Sequence, residues 1–322
     1  MVAAPGVPQH ARSGPLVTLD PDIAAVIEAL NAGFPPVHTM TGAQARAAIR
    51  ARLRAPAEPE RVGQVTDDVV PGPVGGIPVR IYRPASPADA VVVFAHGGGF
   101  VFCDLDTHDA LCRAICNGVG AVVVSVDYRL APEHRWPAAA DDVYAVARWA
   151  NRFDGPLVVA GDSAGGNLAA VTALVARDRG GPAVAAQVLL YPALDADFDT
   201  ESYRAYGSGY YNTREAMIWY WDQYVPRPAD RAHPYAGPLH AELSGLPPAV
   251  VVTAGFDPLR TEGDQYAVAL AEAGVRVVHR CYDGAVHGFL TMPDIAIGAL
   301  AREQTWADLR RLLRLEDLRA RS

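Results

Sequence analysis

The sequence predicts an α/β sandwich, built on a mostly parallel eight-stranded sheet with helices on both faces. From residue 90 onward, short β-branched segments alternate with segments of helical periodicity, which is the pattern of βα units. These short segments are apolar along their whole length, as strands covered on both faces are. The chain has 322 residues, half of them hydrophobic, and is therefore long enough to bury such a sheet.

The predicted elements follow one another in a regular order. Two helices come first, over 20–31 and 41–53, with Asp20 and Thr41 at their starts. Two antiparallel strands follow across a turn region that opens with Pro71-Gly72-Pro73. The eight predicted strands cover residues 62–70, 79–83, 90–95, 121–126, 157–160, 187–190, 249–253 and 275–282. Later helices are predicted over residues 107–117, 138–151, 166–177, 262–272 and 295–315.

The segment from residue 195 to residue 240 interrupts this alternation. It is rich in Tyr, Trp, Pro and charge, and it contains one predicted helix, over 213–224. In an open α/β sheet such an insertion lies above the carboxyl ends of the strands, where ligands bind. We therefore expect four parts, with a linker at residues 56–59: N-terminal helices (1–56), the first part of the core (57–194), the insertion (195–240) and the second part of the core (241–322).

Composition and charge exclude several functional classes. The net charge of −8 argues against a nucleic-acid or anionic-membrane surface. No apolar stretch is long enough to span a bilayer, and residues 1–15 lack the pattern of a secretory signal. The cysteines fit neither a disulfide framework nor a zinc pattern: Cys103, Cys112, Cys116 and Cys281. We therefore expect reduced thiols in a cytoplasmic protein that needs no metal or other cofactor.

The most informative segment is Gly161-Asp162-Ser163-Ala164-Gly165. It ends an apolar run and leads directly into a helical stretch, so the serine stands in a strand–turn–helix context. The flanking glycines permit a strained turn, and the helix start directs free N–H groups toward any anion that forms there. A glycine-rich turn in a protein without catalytic activity can contain the same pentapeptide. The other site residues must therefore decide whether Ser163 is a nucleophile.

A serine hydroxyl becomes a useful nucleophile only with a base, an orienting acid and donors for the oxyanion. After an elbow of this kind, the acid precedes the base along the chain. Asp257 follows a buried strand, and His287 follows the last strand. Each has an alternative interpretation, since Asp-Pro pairs open turns and loop histidines are often surface residues. The other histidines precede the acid or, in the case of His279, fall within a predicted strand.

Oxyanion donors are expected in the segment His96-Gly97-Gly98-Gly99, directly after the strand over 90–95. Consecutive glycines let backbone N–H groups converge on a small anion without interference from Cβ atoms. His96 is expected to brace this loop through hydrogen bonds. A merely flexible loop is the alternative, but it is disfavoured directly after a buried strand. Four elements in the required order, each at the carboxyl end of a predicted strand, indicate one catalytic site.

Together with Asp127-Tyr128-Arg129-Leu130-Ala131-Pro132-Glu133, these motifs resemble the hormone-sensitive-lipase-like carboxylesterases (bacterial family IV) of the α/β-hydrolase superfamily. The resemblance runs over nearly the whole chain, from about residue 20. It implies the α/β-hydrolase fold, with a helical cap made from the N-terminal helices and the insertion.

The resemblance also implies a role for each site residue. Ser163 is the implied nucleophile, His287 the base and Asp257 the orienting acid. The implied oxyanion hole consists of three backbone N–H groups, those of Gly98, Gly99 and Ala164. The implied supporting residues are His96, Gly97 and Asp162.

Two positions depart from the family pattern. Cys103 stands where the family usually has glycine, and Thr261 stands where an acidic residue is common before Glu262. Cys103 either fills a gap as a small buried side chain or narrows the acyl side of the pocket.

We therefore predict a cytoplasmic serine carboxylesterase that acts on small-molecule esters of short to medium acyl length through an acyl-enzyme. The alternatives are an amidase or peptidase on the same fold, and a non-catalytic small-molecule receptor, against which His287 argues. The resemblance alone implies a possible homodimer through the strand over 275–282. Aromatic residues of the insertion either wall the pocket or only pack the cap: Tyr203, Tyr206, Tyr210, Tyr211, Trp219, Tyr220 and Trp221.

Overall fold

The computed structural model describes residues 18–54 and 58–320. Residues 1–15, where no secretory signal is expected, lie outside the described residues, as do residues 56 and 57 of the predicted linker. None of the helices in the described ranges is both long enough and apolar enough to cross a bilayer.

One sheet of eight strands runs through the described part of the chain. Its strands are β1 (Gln64–Gly72), β2 (Gly75–Arg83), β3 (Ala90–Ala95), β4 (Ala121–Val126), β5 (Leu157–Asp162), β6 (Val184–Leu190), β7 (Ala249–Phe256) and β8 (Val277–Val286). They are arranged in the order β1-β2-β4-β3-β5-β6-β7-β8. Strand β2 is antiparallel to both of its neighbours, and every other pair is parallel. The predicted fold class is confirmed.

Helices cover both faces of this sheet. They are α1 (Pro21–Gly33), α2 (Gly42–Arg50), α3 (Asp109–Ile115), α4 (Ala138–Ala150), α5 (Ala164–Asp178), α6 (Glu201–Tyr206), α7 (Arg214–Tyr224), α8 (Arg260–Glu272) and α9 (Ala296–Ala320). Several begin where the sequence predicts, because a side chain satisfies the first N–H groups. Asp20 caps α1, and Thr41 caps α2 through a reciprocal bond with Gln44.

Side chains of β3 divide between two hydrophobic cores, because successive residues of a strand point to opposite faces. Val91 and Val93 pack with α4, α5 and α8 on one face. Val92 and Phe94 pack with α3 and α9 on the other, where Trp306 is also buried. Each such buried side chain contributes about 1.5–3 kcal/mol through removal of apolar surface from water. The carboxyl ends of β3, β5, β7 and β8 are therefore held at one edge of a rigid layer.

Several elements differ from their predicted extent, and one helix, α6, was not predicted. Helix α6 has only six residues, and its place depends on tertiary contacts, since Ser202 donates to the Pro258 carbonyl at 2.6 Å. Strand β8 runs further than predicted, and its pairing with β7 shifts register between Ala254 and Phe256. Helix α3 ends early, in a single π turn that closes at Gly120 with a φ of 75°.

Candidate active site

Ser163 lies at the sharp turn between β5 and α5. Its φ is 54° and its ψ is −119°, a strained conformation for a residue with a Cβ atom. The turn is possible because two glycines let backbone segments touch. A Cβ at Gly165 would collide with the Ala95 carbonyl, and one at Gly161 would collide with the Gly165 carbonyl. The strain presents the serine hydroxyl at the edge of the sheet, as the sequence predicts for this elbow.

Three side chains from three strand ends form one hydrogen-bonded chain. Nε2 of His287 lies 2.9 Å from Oγ of Ser163, and Nδ1 of the same ring lies 2.7 Å from Oδ2 of Asp257. Because a carboxylate accepts at Nδ1, that nitrogen carries the proton, which leaves Nε2 free to accept the proton of Ser163. Asp257 is fully buried, and its Oδ1 accepts the Leu259 N–H at 2.9 Å.

The glycine loop after β3 turns back on itself beside these three hydrogen-bonded side chains. Gly98 and Gly99 have φ values of 108° and 58°, and the Gly98 carbonyl accepts the N–H of Val101 at 3.0 Å. Within the described residues, no hydrogen bond takes up the N–H of Gly98 or of Gly99. The Ala164 N–H, at the first position of α5, also has no partner inside its helix. These three donors and Ser163 border the same cavity or lie directly beside it.

The predicted supporting residues lie beneath this loop. Gly97 donates its N–H to Asp162 at 2.8 Å, and a Cβ at Gly97 would collide with that carboxylate. The His96 ring stacks on Tyr128 at 4.3 Å, and the Tyr128 hydroxyl donates to the His96 carbonyl at 2.8 Å. Complete burial, together with nearby His108, lowers the pKa of His96 to about 4, so its ring is neutral.

The electrostatics of Asp162 depend on a residue that the sequence did not single out. Burial alone would raise the pKa of Asp162, but His108 and the Gly97 N–H hold that pKa below its ordinary value. The sequence excludes His108 as the catalytic base, because His108 precedes the acid along the chain. The structure places its Nε2 3.2 Å from Oδ1 of Asp162. No sequence signal beyond its place in a loop after β3 could have found it.

A cavity of about 120 Å³ opens at Ser163 and His287. Of the seven aromatic residues expected either to wall it or to pack the cap, Tyr211 and Tyr220 line it. Trp221 instead packs on Phe100, and Tyr210 on Phe256. The wall also contains residues that the sequence did not single out: Phe34, Phe102, Met217, Asn212 and Thr291. A larger cavity, of about 340 Å³, lies between α4, α5 and the insertion and contains none of the triad residues.

The two residues that depart from the family pattern, Cys103 and Thr261, both make defined contacts in the structure. Cys103 lines the cavity and has a φ of 70°, which explains why glycine is usual at this position. Thr261 ties the start of α8 to α6, because its Oγ1 accepts the Ser202 N–H at 3.3 Å while its own N–H donates to the Ser202 hydroxyl at 3.1 Å. Within the described residues, no cluster of three His, Cys, Asp or Glu side chains is placed to hold a metal ion.

Similarity to known proteins extends over most of the chain. The carboxylic ester hydrolase LipN of Mycobacterium tuberculosis is 45% identical over 271 residues, which cover 80% of this chain and 72% of that protein. The carboxylesterase NlhH of the same organism is 41% identical over 287 residues, covering 84% and 89%. A solved esterase from the archaeon Pyrobaculum calidifontis superposes with a TM-score of 0.85 at 41% identity, covering 92% of this chain and 99% of that one.

The sheet and the hydrogen-bonded chain of Asp257, His287 and Ser163 define the class, an α/β hydrolase with a Ser-His-Asp triad at its strand ends. Residues 92–291 match the family described as alpha/beta hydrolase fold. The chain belongs to the hormone-sensitive-lipase-like family of α/β hydrolases.

Proposed function

We propose that this chain is a serine carboxylesterase that hydrolyses small-molecule esters of short to medium acyl length through an acyl-enzyme. The observation that carries the proposal is the unbroken set of hydrogen bonds from Asp257 through His287 to Ser163, with free backbone donors beside the hydroxyl. The relatives named as ester hydrolases support it, since they align with most of the chain at above 40% identity.

In the proposed acylation step, Oγ of Ser163 attacks the ester carbonyl while Nε2 of His287 takes the hydroxyl proton. The carbonyl oxygen becomes an oxyanion, which accepts hydrogen bonds from the N–H groups of Gly98, Gly99 and Ala164. Asp257 holds the ring and stabilises the imidazolium that forms. The tetrahedral intermediate then collapses, and His287 returns the proton to the departing alcohol.

In the proposed deacylation step, water takes the place of the alcohol. Nε2 of His287 removes a proton from the water as its oxygen attacks the acyl carbonyl, and the same donors stabilise the second oxyanion. When this intermediate collapses, the carboxylic acid leaves and the proton returns to Ser163. Apart from the ester and the water, the proposed cycle uses only side chains and backbone N–H groups of the site.

The size of the cavity supports a preference for short acyl groups. Its volume of about 120 Å³ is small compared with the roughly 300–1,000 Å³ of pockets that hold drug-sized ligands. Aromatic rings wall it, including Tyr220, whose ring would collide with a Cβ at Gly99. We therefore expect esters of roughly four to eight acyl carbons to react faster than longer ones.

Turnover of a chain-length series of aryl esters, together with the matching anilides, tests this function. The wild type is expected to hydrolyse the short esters and to be inactivated by a phosphonate that mass spectrometry locates on Ser163. Ser163→Ala should lose at least about 10³-fold in kcat/KM, whereas Ser208→Ala, an exposed serine, should retain it. Faster hydrolysis of the anilides would indicate an amidase, and binding without turnover would indicate a receptor.

We further propose that α1, α2 and the insertion form one cap, and that the chain divides at residues 56, 194 and 240 as expected. The Asn31 side chain supports this, because it donates to the Gly209 carbonyl and accepts the Tyr211 N–H, each at 2.8 Å. The Phe34 and Tyr211 rings also meet at 5.1 Å. Hydrogen exchange that protects α1 and the 209–213 loop together would support this unit, and independent exchange would contradict it.

Two proposals concern the state of the protein in the cell. A cytoplasmic location is supported by the four free cysteines of the described residues, and cell fractionation tests it.

A homodimer through β8 is supported by the position of β8 at the edge of the sheet. Sedimentation velocity that gives a monomer at every concentration would contradict the dimer.

A further inference from the structure

The wall of the catalytic cavity contains a buried side-chain amide that has no hydrogen-bond partner within the described residues. Asn212 borders the cavity of about 120 Å³ that opens at Ser163 and His287. Only 8% of its surface is exposed, and no described group accepts a hydrogen bond from its Nδ2 atom. Other buried polar atoms of the described chain also lack a partner, but among them only the Asn212 amide belongs to a residue that borders this cavity.

The backbone on both sides of Asn212 is held in place. Its own N–H donates to the Tyr210 carbonyl at 2.9 Å. The preceding residue, Tyr211, has a φ of 73°, a strained value for a residue with a Cβ atom, and the Asn31 side chain accepts its N–H at 2.8 Å. The following residue, Thr213, caps the start of α7 with its side chain. The Asn212 amide is therefore positioned at the cavity before a substrate binds.

Burial of this amide without a partner has a cost that a bound molecule can remove. A buried donor without an acceptor has lost the hydrogen bond that it makes with water in the unfolded chain. An oxygen atom of a substrate can restore that bond. Because an apolar substrate leaves the donor unpaired, a site of this kind discriminates between two substrates of the same shape when only one of them supplies the oxygen.

The other polar groups of the cavity wall indicate which kind of group fits beside Asn212. Thr291 is committed, because its hydroxyl donates to a backbone carbonyl at 2.8 Å, and Asp162 accepts a backbone N–H at 2.8 Å. Burial raises the pKa of Tyr211 to about 12 and holds the pKa of Tyr220 well above its ordinary value, so both phenols keep their protons. The insertion therefore offers donors to this cavity, and donors fit an oxygen that accepts and not an ammonium group.

We propose that Asn212 is a specificity-determining residue, and that the site prefers esters with a second acceptor oxygen over apolar esters of the same shape. The second oxygen is that of an ether, a hydroxyl or a further carbonyl group. This inference rests on the proposed function and specifies which small esters that function favours. Nδ2 of Asn212 donates to the second oxygen in the enzyme–substrate complex, so the preference is expressed in kcat/KM.

Ester pairs that differ by one CH₂ replaced by oxygen separate this preference from a preference for size. The acyl pair is an aryl methoxyacetate and the aryl butyrate, and the alcohol pair is 2-methoxyethyl butyrate and butyl butyrate. After correction for the rates of the same esters with hydroxide, wild-type kcat/KM should favour the oxygen-containing member of at least one pair by about three- to tenfold. Asn212→Leu keeps a branched side chain without the amide and should lose that preference. Comparison of the ratios between the two enzymes cancels the intrinsic reactivity of the esters.

The matched control is Thr291→Val, because Thr291 borders the same cavity but its hydroxyl is already used within its own loop. Its ratios should stay within about twofold of the wild-type ratios. Equal ratios in wild type and Asn212→Leu for both pairs would overturn the inference. Should Asn212→Leu fail to fold, the wild type alone decides, since corrected ratios near one for both pairs would also overturn it. If the wild type hydrolyses no member of either pair, the proposed function fails together with the inference, whereas turnover with equal ratios removes the inference alone.

Discussion

Within the part of the chain that the structure describes, the Asp257 carboxylate accepts two hydrogen bonds, from His287 at 2.7 Å and from the Leu259 N–H at 2.9 Å. In Asp257→Asn, an amide N–H would face Nδ1 of the ring and favour the tautomer with its proton on Nε2, which cannot accept from Ser163. We expect kcat to fall by about 10³- to 10⁴-fold with the fold intact. Stopped-flow turnover and circular dichroism measure both effects.

The matched control for this change is Asp283→Asn, because Asp283 is an exposed carboxylate on β8. Its kcat should stay within twofold of wild type. A kcat for Asp257→Asn close to that of wild type would contradict the assignment of Asp257 as the orienting acid.

Cys103 combines a cavity-facing side chain with a φ of 70°. Burial raises the pKa of its thiol to about 12, so at neutral pH its thiolate is on the order of 10³ rarer than that of an ordinary thiol with a pKa of 9.0. We expect iodoacetamide to inactivate the wild type slowly, faster as the pH rises, and more slowly still in the presence of a competitive inhibitor. Inactivation at the rate of a free thiol at pH 7 would contradict this.

The acyl-length profile measures what the Cys103 side chain does in the pocket. Cys103→Gly removes it and suits the positive φ, so the preferred acyl chain should lengthen by about one or two carbons and the sensitivity to iodoacetamide should disappear. Cys103→Ser keeps the positive φ and most of the side-chain bulk, and serves as the control. If the profile of Cys103→Gly matches that of wild type, the side chain is only packing.

The Asn31 side chain joins helix α1 to the loop between α6 and α7. Asn31 holds Gly209 and Tyr211 from an exposed position, and Tyr211 lines the cavity with a φ of 73°. Asn31→Ala removes both hydrogen bonds, worth about 0.5–1.5 kcal/mol each. Because the triad is untouched, KM for short esters should rise about three- to tenfold, with kcat changed less than twofold.

Steady-state kinetics on the aryl ester series measure this effect. Asn151→Ala is the control, since Asn151 is equally exposed but lies at the end of α4, away from the cavity. An unchanged KM in Asn31→Ala would show that the Asn31 hydrogen bonds do not position Tyr211. A loss confined to kcat would show that these hydrogen bonds act on the triad instead.

Strands and helices whose apolar residues end abruptly at polar or glycine-rich segments are predictable from the sequence. Contacts between elements are not. The bounds of β3 and β4 match their predictions, because both strands are apolar apart from Ser125 of β4 and end at polar or glycine-rich segments. Helix α6 was missed because six residues give too little periodicity, and its place depends on Ser202. Five of the seven insertion aromatics do not line the cavity, because the direction of a helical side chain depends on a register that the sequence leaves open.

The candidate site shows the same limit. Ser163, Asp257 and His287 were found because motifs fix their chain order and each follows a strand. His108 was not found, because its contact with Asp162 joins residues that are 54 positions apart in the chain, and such a contact needs coordinates. Sequence patterns thus identify groups that react, and they miss groups that act through a neighbour.

The stability of the whole fold should depend on pH through Glu262. This carboxyl is 1% exposed and accepts the Leu194 N–H at 3.3 Å, while its Oε2 has no partner among the described residues. Burial, and then the nearby Asp195, raise the pKa of Glu262 well above its ordinary value of 4.5. The folded state therefore keeps a proton that the unfolded chain releases, so stability is lost as the pH rises above about 4.5 toward the folded-state pKa.

Glu262→Gln has no proton to lose and should be more stable than wild type at neutral pH. The difference in unfolding free energy should grow by up to about 1.4 kcal/mol per pH unit across that window. Urea unfolding at pH 5, 6, 7 and 8 measures it, with the exposed Glu272→Gln as the control. A difference that is constant with pH would mean that Glu262 is ionised in the folded protein.

The triad draws its members from the ends of β5, β7 and β8, and Ser163 and His287 are 124 residues apart in the chain. Helices form from local contacts in microseconds, whereas parallel strands pair only after long loops close. On refolding from urea, far-UV circular dichroism should therefore recover before turnover does. The recovery of turnover then reports when β8 docks onto the sheet. It is a kinetic marker for the final assembly of the sheet, and it needs no added label.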